Sequence, residues 1–328
     1  MKYVYVLTSS EKDLYYEQFF LSVTSLRLYN PEADIIVLLD EKTKAGLTGK
    51  RAGYEQIVSE IKIIPAPEEY SQKEASRWIK TSIRKHITGD FLFIDCDTII
   101  TSKLEPNFPP ELKVGAVLDS HVGLSEHHLR YYFQQSDRQV GFVSSFNHEN
   151  HFNGGLLFCR DAPEGEQFFD KWHSLWLVGR RKGNVMDMPS MNQANYELND
   201  IIIELGGAWN CQISHNGLPY LYDAKIIHYY ATSLDFITSS FLPGSNSTLS
   251  SIKETGVISA EILLLLEHPK AAFEKHLRII ADKEVIDAFD SSLFAILRWL
   301  RKKNPSLFTK LDRLMFRFTK FIKRLINS

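Results

Sequence analysis

Asp95 and Asp97 stand one residue apart at the end of an apolar run, Phe91-Leu-Phe-Ile94, with Cys96 between them. Two carboxylates this close repel each other. A hard divalent cation, Mn2+ or Mg2+, neutralises both and still binds phosphate oxygens. Aspartate at a strand end also serves ordinary turns, so the reading needs partners elsewhere in the chain. Arg77 and Lys80 lie at i, i+3 on one helical face just upstream, where two cations could meet a diphosphate. His228 closes the run Lys225-Ile-Ile-His, and a neutral imidazole is a suitable third ligand for Mn2+. Asn153-Gly154-Gly155 enters another apolar run with two residues free to take positive φ, which lets backbone approach a ligand closely. Asp187 and Asn192 open a helical pattern, where a carboxylate and an amide suit sugar hydroxyls; the plain alternative is a capping aspartate.

These residues need a scaffold, and the first 110 residues supply an α/β pattern. Strand patterns at 3–7, 34–39, 61–64 and 91–94 alternate with helical spacing at 14–29, 54–59 and 75–87. The order predicts a parallel sheet with right-handed crossovers. Asp95 and Asp97 then sit at the carboxyl end of about the fourth strand, the edge at which open α/β sheets bind ligands. Further on, strands are expected at 114–118, ending at Asp119, at 152–160 and at 224–230. Helices are expected at 167–176 and 187–204. A Ser/Gly/Pro-rich stretch, 238–251, reads as a linker, and two or three helices follow up to 300.

The 328 residues are enough for about two domains, or for one large α/β domain with an appendage. Three widely spaced cysteines, Cys96, Cys159 and Cys211, point to reduced thiols, not to a disulfide framework, and no CxxC pair suggests zinc. The first strand begins almost at Met1 with no apolar leader, and the longest aliphatic run, 262–266, is too short to span a bilayer. A cytoplasmic protein is expected. The net charge of −2 conceals an asymmetry: from Arg298 onward ten Lys/Arg face the single acid Asp312. Apolar residues at 311, 314, 315, 318, 321, 322, 325 and 326 form one stripe of a helix whose other face is cationic. That pattern fits an anionic membrane interface. Nucleic acid is not expected, since the body is acidic and carries no recognition module.

In order, Arg77 and Lys80, Asp95-Cys96-Asp97, Asp119, Phe152-Asn-Gly-Gly155, Asp187-Met-Pro-Ser-Met-Asn192 and His228 resemble a family of retaining glycosyltransferases. That family, family 8, includes glycogenin and the bacterial lipopolysaccharide galactosyltransferases. The resemblance spans roughly 1–233. It implies the GT-A fold, a Rossmann-like nucleotide-sugar-binding mixed sheet flanked by helices, here followed by a C-terminal helical extension. It also implies a nucleotide-sugar donor, usually UDP-linked, and Mn2+ (or Mg2+) held by Asp95, Asp97 and His228. On the family's pattern Thr8 touches base and ribose, and Arg77, Lys80, Cys96, Gly154 and Asn192 line the donor site. Asp119, Asn153 and Asp187 hold the donor sugar at the reacting centre. The implied work is transfer to a glycan or lipid-linked acceptor in cell-surface polysaccharide assembly, on the inner face of the membrane. The expected division is a catalytic domain over 1–235, a linker and helical appendage over 236–297, and a basic membrane-associating helix over 298–328.

Two departures stand out. Met188 occupies the place of the family's glutamine, and the late motif keeps only His228, without its glycine, lysine and tryptophan. Two rival readings use the same acids: a phosphohydrolase of the haloacid dehalogenase type, built on Asp95-Cys-Asp97-Thr98, and a non-catalytic sugar-nucleotide-binding protein.

Overall fold

The computed structural model describes residues 1–230, 243–277 and 291–326. It contains two compact units, 1–277 and 278–328. In the first, β1 (Lys2–Leu7), α1 (Tyr15–Tyr29), β2 (Asp34–Leu39), α2 (Glu41–Gly46), β3 (Glu60–Ile63), α3 (Gln72–Thr81) and β4 (Phe91–Ile94) alternate in the expected order, although α2 was not foreseen at 41–46. Then come β5 (Thr98–Ile100), β6 (Val114–Leu118), α4 (Arg130–Val140), α5 (Ser144–Asn147), β7 (Phe152–Cys159), α6 (Pro163–Arg181) and α7 (Met188–Glu197). The unit continues through β8 (Ile202–Glu204), β9 (Cys211–Gln212), β10 (Ile226–His228), α8 (Asn246–Thr255), α9 (Ala260–Glu267) and α10 (Pro269–Leu277).

Seven strands form one sheet in the order β3-β2-β1-β4-β7-β6-β8. The β3-β2-β1-β4 half is parallel as expected, β7 runs against both of its neighbours, and β8 is parallel to β6. The architecture is a mixed sheet flanked by helices. Both faces are covered, as the continuous apolar strands require. Tyr3, Tyr5, Leu92 and Ile94 point into one core with Phe19, Val23 and Leu26 of α1. Val4, Val6, Phe91 and Phe93 point into another with Ile79, Phe168 and Trp172. From β1 the chain steps outward to β2 and β3, then returns to the other side of β1 with β4. The order therefore reverses between β1 and β4, and the crevice at a reversal opens beyond the carboxyl ends of its two strands. Those ends are Thr8 and Asp95.

A small second sheet, β5-β10-β9, was not foreseen. β10 runs antiparallel to β5 with His228 opposite Thr98. The expected helix over 187–204 stops at Glu197: Asn199 and Asp200 take φ of 54° and 62°, and the chain turns into β8 against β6. The helix expected over 75–87 begins earlier, at Gln72, behind a Ser71/Glu74 capping box, and ends at Thr81. The stretch 54–59 holds only a single 3-10 turn, Gly53–Gln56. Of the expected linker at 238–251, residues 238–242 lie outside the described residues, and the chain is helical from Asn246 behind an N-capping Ser245. α8 to α10 bury Leu249, Ile252, Ile262, Leu266 and Phe273 in the α1-side core.

Cys159 and Cys211 are buried free thiols, and Cys96 is half-buried and also free. The second unit contains α11 (Ser292–Lys303) and α12 (Pro305–Ile326). They join at Asn304, whose side chain accepts a hydrogen bond from the Leu307 N–H. Among the described residues no helix is long and apolar enough to cross a membrane.

Candidate functional site

The turn after β4 sets both acids. Asp95 N–H donates to Gly155 O of β7, and Thr98 Oγ1 donates back to Asp95 O. Cys96 faces away, its thiol donating to Val6 O, and burial holds that thiol well above its ordinary pKa. A protonated, inward-facing Cys96 is no metal ligand. Across the small sheet, Tyr229 N–H donates to Asp97 O, and His228 Nε2 lies 3.2 Å from Asp97 Oδ1. Asp95, Asp97 and His228 offer three ligand atoms that all lie within 4.8 Å of one another.

The hydrogen bonds around His228 test whether this cluster fits a cation. Gly155 N–H donates to Asn153 Oδ1, which makes that atom the amide oxygen. Asn210 Nδ2 must then be the donor in its 3.0 Å contact with Asn153 Oδ1, so Asn210 Oδ1 is an acceptor. His228 Nδ1, 3.1 Å from Asn210 Oδ1, must carry the hydrogen. The Nε2 of a neutral His228 therefore presents a lone pair to the Asp97 carboxylate, an arrangement that is stable only with a cation between them. In its absence a proton takes that place: burial would lower the His228 pKa, but Asp97 overcomes this and raises it. Burial likewise opposes, and His228 outweighs, so that the Asp97 carboxyl is held below its usual range. Two carboxylates and one imidazole suit Mn2+, which accepts both donor types, and Asp95 and Asp97 keep 30% and 27% of their side chains open to further ligands.

Beside this cluster lies a buried ionic knot. Lys80 Nζ is 2.9 Å from Asp187 Oδ2 and 3.2 Å from Asp95 Oδ1, and Arg77 Nε is 3.0 Å from Asp187 Oδ1. Burial would raise the Asp187 carboxyl, yet Arg77 and Lys80 hold it well below the carboxylate range. Burial would lower the Lys80 ammonium, yet Asp187 and Asp95 hold it above its ordinary value. Asp187 precedes α7, but its side chain caps nothing.

A second chain of hydrogen bonds leaves Asn153. Its Nδ2 donates to Asp119 Oδ1 at 2.7 Å and to Tyr230 Oη at 2.8 Å, and Tyr230 donates in turn to Gln212 Oε1. Leu129 N–H donates to His127 Nδ1, so His127 Nε2 carries the hydrogen bound to Asp119 Oδ2. Despite the cost of burial, these contacts hold Asp119 ionised, below its usual pKa. Gln212 also accepts from Ser120 N–H and donates to Leu118 O, which holds the turn after β6, where Ser120 and His121 have positive φ.

The structure thus joins Arg77, Lys80, Asp95, Asp97, Asp119, Asn153, Asp187 and His228 into one continuous polar network. Gly154 borders it: a Cβ there would lie 3.5 Å from Lys80 Nζ and 3.6 Å from Asp187 Oδ2. Gly155 matters for a reason other than φ. Both glycines sit in extended strand, but a Cβ on Gly155 would lie 2.4 Å from His228 Cε1. Three expected members point elsewhere: Cys96, turned inward to Val6 O, Thr8 and Asn192. Thr8 Oγ1 donates to Gln72 O, tying β1 to α3, and the Asn192 amide is bonded to both backbone groups of Phe152. Asn210, Gln212, Tyr230 and His127 carry no sequence signal for this role, apart from His127 lying in a His-rich stretch.

Residues 88–233 match the profile of "Glycosyl transferase family 8", less than half of the chain but a span that contains both acids, Asp119, the 152–155 strand entry, Asp187 and His228. No curated protein matches the sequence. Among solved structures, mouse xyloside xylosyltransferase 1 in its apo form aligns at 14% identity and TM-score 0.45, over 70% of this chain and 98% of that one. The galactosyltransferase LgtC, with donor and acceptor sugar analogues, aligns at 13% identity and TM-score 0.47, over 80% of this chain and 98% of that one. The glycosyltransferase GlyE of Streptococcus pneumoniae TIGR4 aligns at 16% identity and TM-score 0.49, over 83% of this chain and 64% of that one. The profile match covers the very segments that build the acid–histidine site, and it supports reading the chain as a glycosyltransferase similar over those residues to family 8.

Proposed function

We propose that this glycosyltransferase moves a hexose from a UDP-linked donor to a glycan or lipid-linked acceptor in cell-surface polysaccharide assembly, with Mn2+ (or Mg2+) at Asp95, Asp97 and His228. One observation carries the reading: two carboxylates and an imidazole with its Nε2 lone pair turned toward them, at the carboxyl edge of the sheet. A divalent ion there supplies charge to stabilise the departing diphosphate. The chain's own residues do the rest. Asp119 is held ionised by His127 and Asn153, ready to accept hydrogen bonds from sugar hydroxyls and to stabilise positive charge developing on the ring. Arg77, a quarter exposed, can reach donor oxygens while it neutralises Asp187. Lys80, held between two carboxylates and 4% exposed, is placed to set the local charge more than to grip a phosphate. Met188 brings no amide to the reacting centre, so hydrogen-bonding at that point falls to Asp187 and Asn153.

The test is a panel of UDP- and GDP-sugars with Mn2+, scored for slow donor hydrolysis. Release of UDP is expected, falling at least about 10^3-fold in Asp97→Ala. Binding without turnover would support a scaffold, and hydrolysis of simple phosphomonoesters would support the dehalogenase-type reading.

We further propose that 298–328 rests on the anionic inner face of the membrane, where lipid-linked acceptors reside. Leu293, Ile296 and Trp299 of α11 and Leu314, Met315 and Phe318 of α12 are each more than half exposed, while Arg298, Arg301, Lys310, Arg313 and Arg317 are exposed on the same two helices. Apolar anchors flanked by cations suit an interface rather than open water. Salt-sensitive co-sedimentation with anionic vesicles is expected and should be lost in Arg313→Glu/Arg317→Glu. Unchanged sedimentation of that variant would end the proposal.

A further inference from the structure

We infer that Asn210 is a positioning residue for the metal: it fixes the tautomer of His228 so that Nε2, and not Nδ1, is offered to the ion. This rests on the metal-binding reading and adds a residue that lies outside the acid–histidine set. Asn210 is fully buried, on the turn before β9, and makes two side-chain contacts. The oxygen and nitrogen of a side-chain amide are told apart by what they bond, so the direction of Asn210 follows from a partner with a single possible role. That partner is the Gly155 N–H, which can only donate. It makes Asn153 Oδ1 an acceptor, the Asn210 amide nitrogen a donor to it, and Asn210 Oδ1 the acceptor for His228 Nδ1–H.

The direction is also locked from the other end. Asn153 Nδ2 donates to the ionised Asp119 Oδ1, so flipping Asn153 would set two oxygens against each other. The His228 ring is held face-on as well, stacked on Tyr230 with centroids 4.0 Å apart. Stacking fixes the plane of the ring but does not choose which nitrogen carries hydrogen. Asn210 makes that choice. A hydrogen-bond acceptor on the far nitrogen of a metal-binding histidine also raises the basicity of the near one, and losing such a partner costs about 10- to 100-fold in metal affinity.

The experiment measures Mn2+ affinity of the intact chain without any donor, by electron paramagnetic resonance or calorimetry. Asn210→Leu keeps the volume and removes the acceptor; its Mn2+ affinity is expected to fall about 10- to 100-fold. Asn210→Asp restores an acceptor for Nδ1–H, its second oxygen keeping a proton to donate to Asn153 Oδ1 as the amide did, and is expected to bind Mn2+ more tightly than the leucine variant. Loss in the leucine variant with rescue in the aspartate variant is a pattern that a merely space-filling Asn210 would not produce. Native affinity in Asn210→Leu overturns the inference. So does affinity in Asn210→Asp as weak as the leucine variant's, a result that decides the matter alone if Asn210→Leu does not fold. A native chain that binds no Mn2+ is a different failure, of the metal reading itself, and takes the inference with it.

Discussion

Two groups of carboxylates lie within one network, and they are neutralised in opposite ways. Asp187 is 5% exposed and meets two protein cations, Arg77 and Lys80. Asp95 and Asp97 are about a third exposed and have less: Lys80 is already engaged by Asp187, and His228 faces Asp97 through Nε2, which holds either a proton or a metal ion. A carboxylate with its charge fully matched by the protein is a structural element that can also orient a ligand. A pair left short of positive charge, at the open edge of a sheet, is where an added cation is stabilised. Three carboxylates against Arg77 and Lys80 leave one negative charge, and a divalent ion turns that into one positive charge beside the place where a diphosphate must lie. The asymmetry makes one side a support and the other a binding site.

Lys80→Met is the sharpest way to break that asymmetry. It leaves Asp187 with Arg77 and removes the Lys80 contact of Asp95. Removing one partner of a buried ion group costs about 3–5 kcal/mol, so the urea midpoint should drop accordingly. The pH dependence has a definite sign. Asp187 is depressed in the folded state, so its stabilisation is complete above the ordinary carboxyl pKa of about 3.9 and drains away as pH falls toward the depressed folded value. In Lys80→Met the folded value rises, so acid unfolding should begin at a higher pH. An unshifted acid limb would mean that Arg77 neutralises Asp187 without help.

The two groups differ equally in how far the sequence disclosed them. Asp95 and Asp97 are local, an i, i+2 pair at the end of an apolar strand, and the order of elements before them placed that strand at the ligand edge. Arg77 and Lys80 were visible as charges on one helical face and Asp187 as a charge at a helix start, but their ion pairs join residues about 110 apart in the chain, which no local pattern encodes. His228 was legible as a strand-end histidine. Its place beside Asp97 comes from the β5–β10 register, and a single-residue slip would turn it to the other face. Asn210, Gln212 and Tyr230 were invisible because an amide or a phenol becomes specific only through the partner it is folded against. The helix expected to 204 failed for a local reason: two consecutive left-handed residues, Asn199 and Asp200, end it, and both types tolerate that conformation.

Gly154 and Gly155 face one group each, so a single methyl can probe either side. On Gly155 a Cβ would stand 2.4 Å from His228 Cε1 and 2.8 Å from Asn153 Oδ1, closer than atoms tolerate. Gly155→Ala must push the imidazole off its line to Asp97. We expect a loss of about 1–3 kcal/mol in stability, as for other overpacked sites, together with weaker Mn2+ binding in calorimetry. Full stability with native Mn2+ affinity would show that His228 has slack the contacts do not suggest.

Gly154→Ala is the smallest change and separates the two groups most cleanly. The added methyl would meet Lys80 Nζ at 3.5 Å, Asp187 Oδ2 at 3.6 Å and Met191 Sδ at 3.7 Å, all ordinary contacts, and the residue does not have the positive φ that would strain an alanine. Alanine also restricts the unfolded chain, so stability should stay within about 0.5 kcal/mol of native or rise slightly. The methyl does, however, occupy space between β7 and the ionic knot, on the side where the donor sugar is proposed to lie. The expected signature is therefore a raised KM for the donor with an unchanged Mn2+ affinity, the reverse of Gly155→Ala. If instead both glycine variants lose Mn2+ affinity alike, the knot and the acid pair behave as one unit, and the division between a matched and an unmatched carboxylate group does not hold.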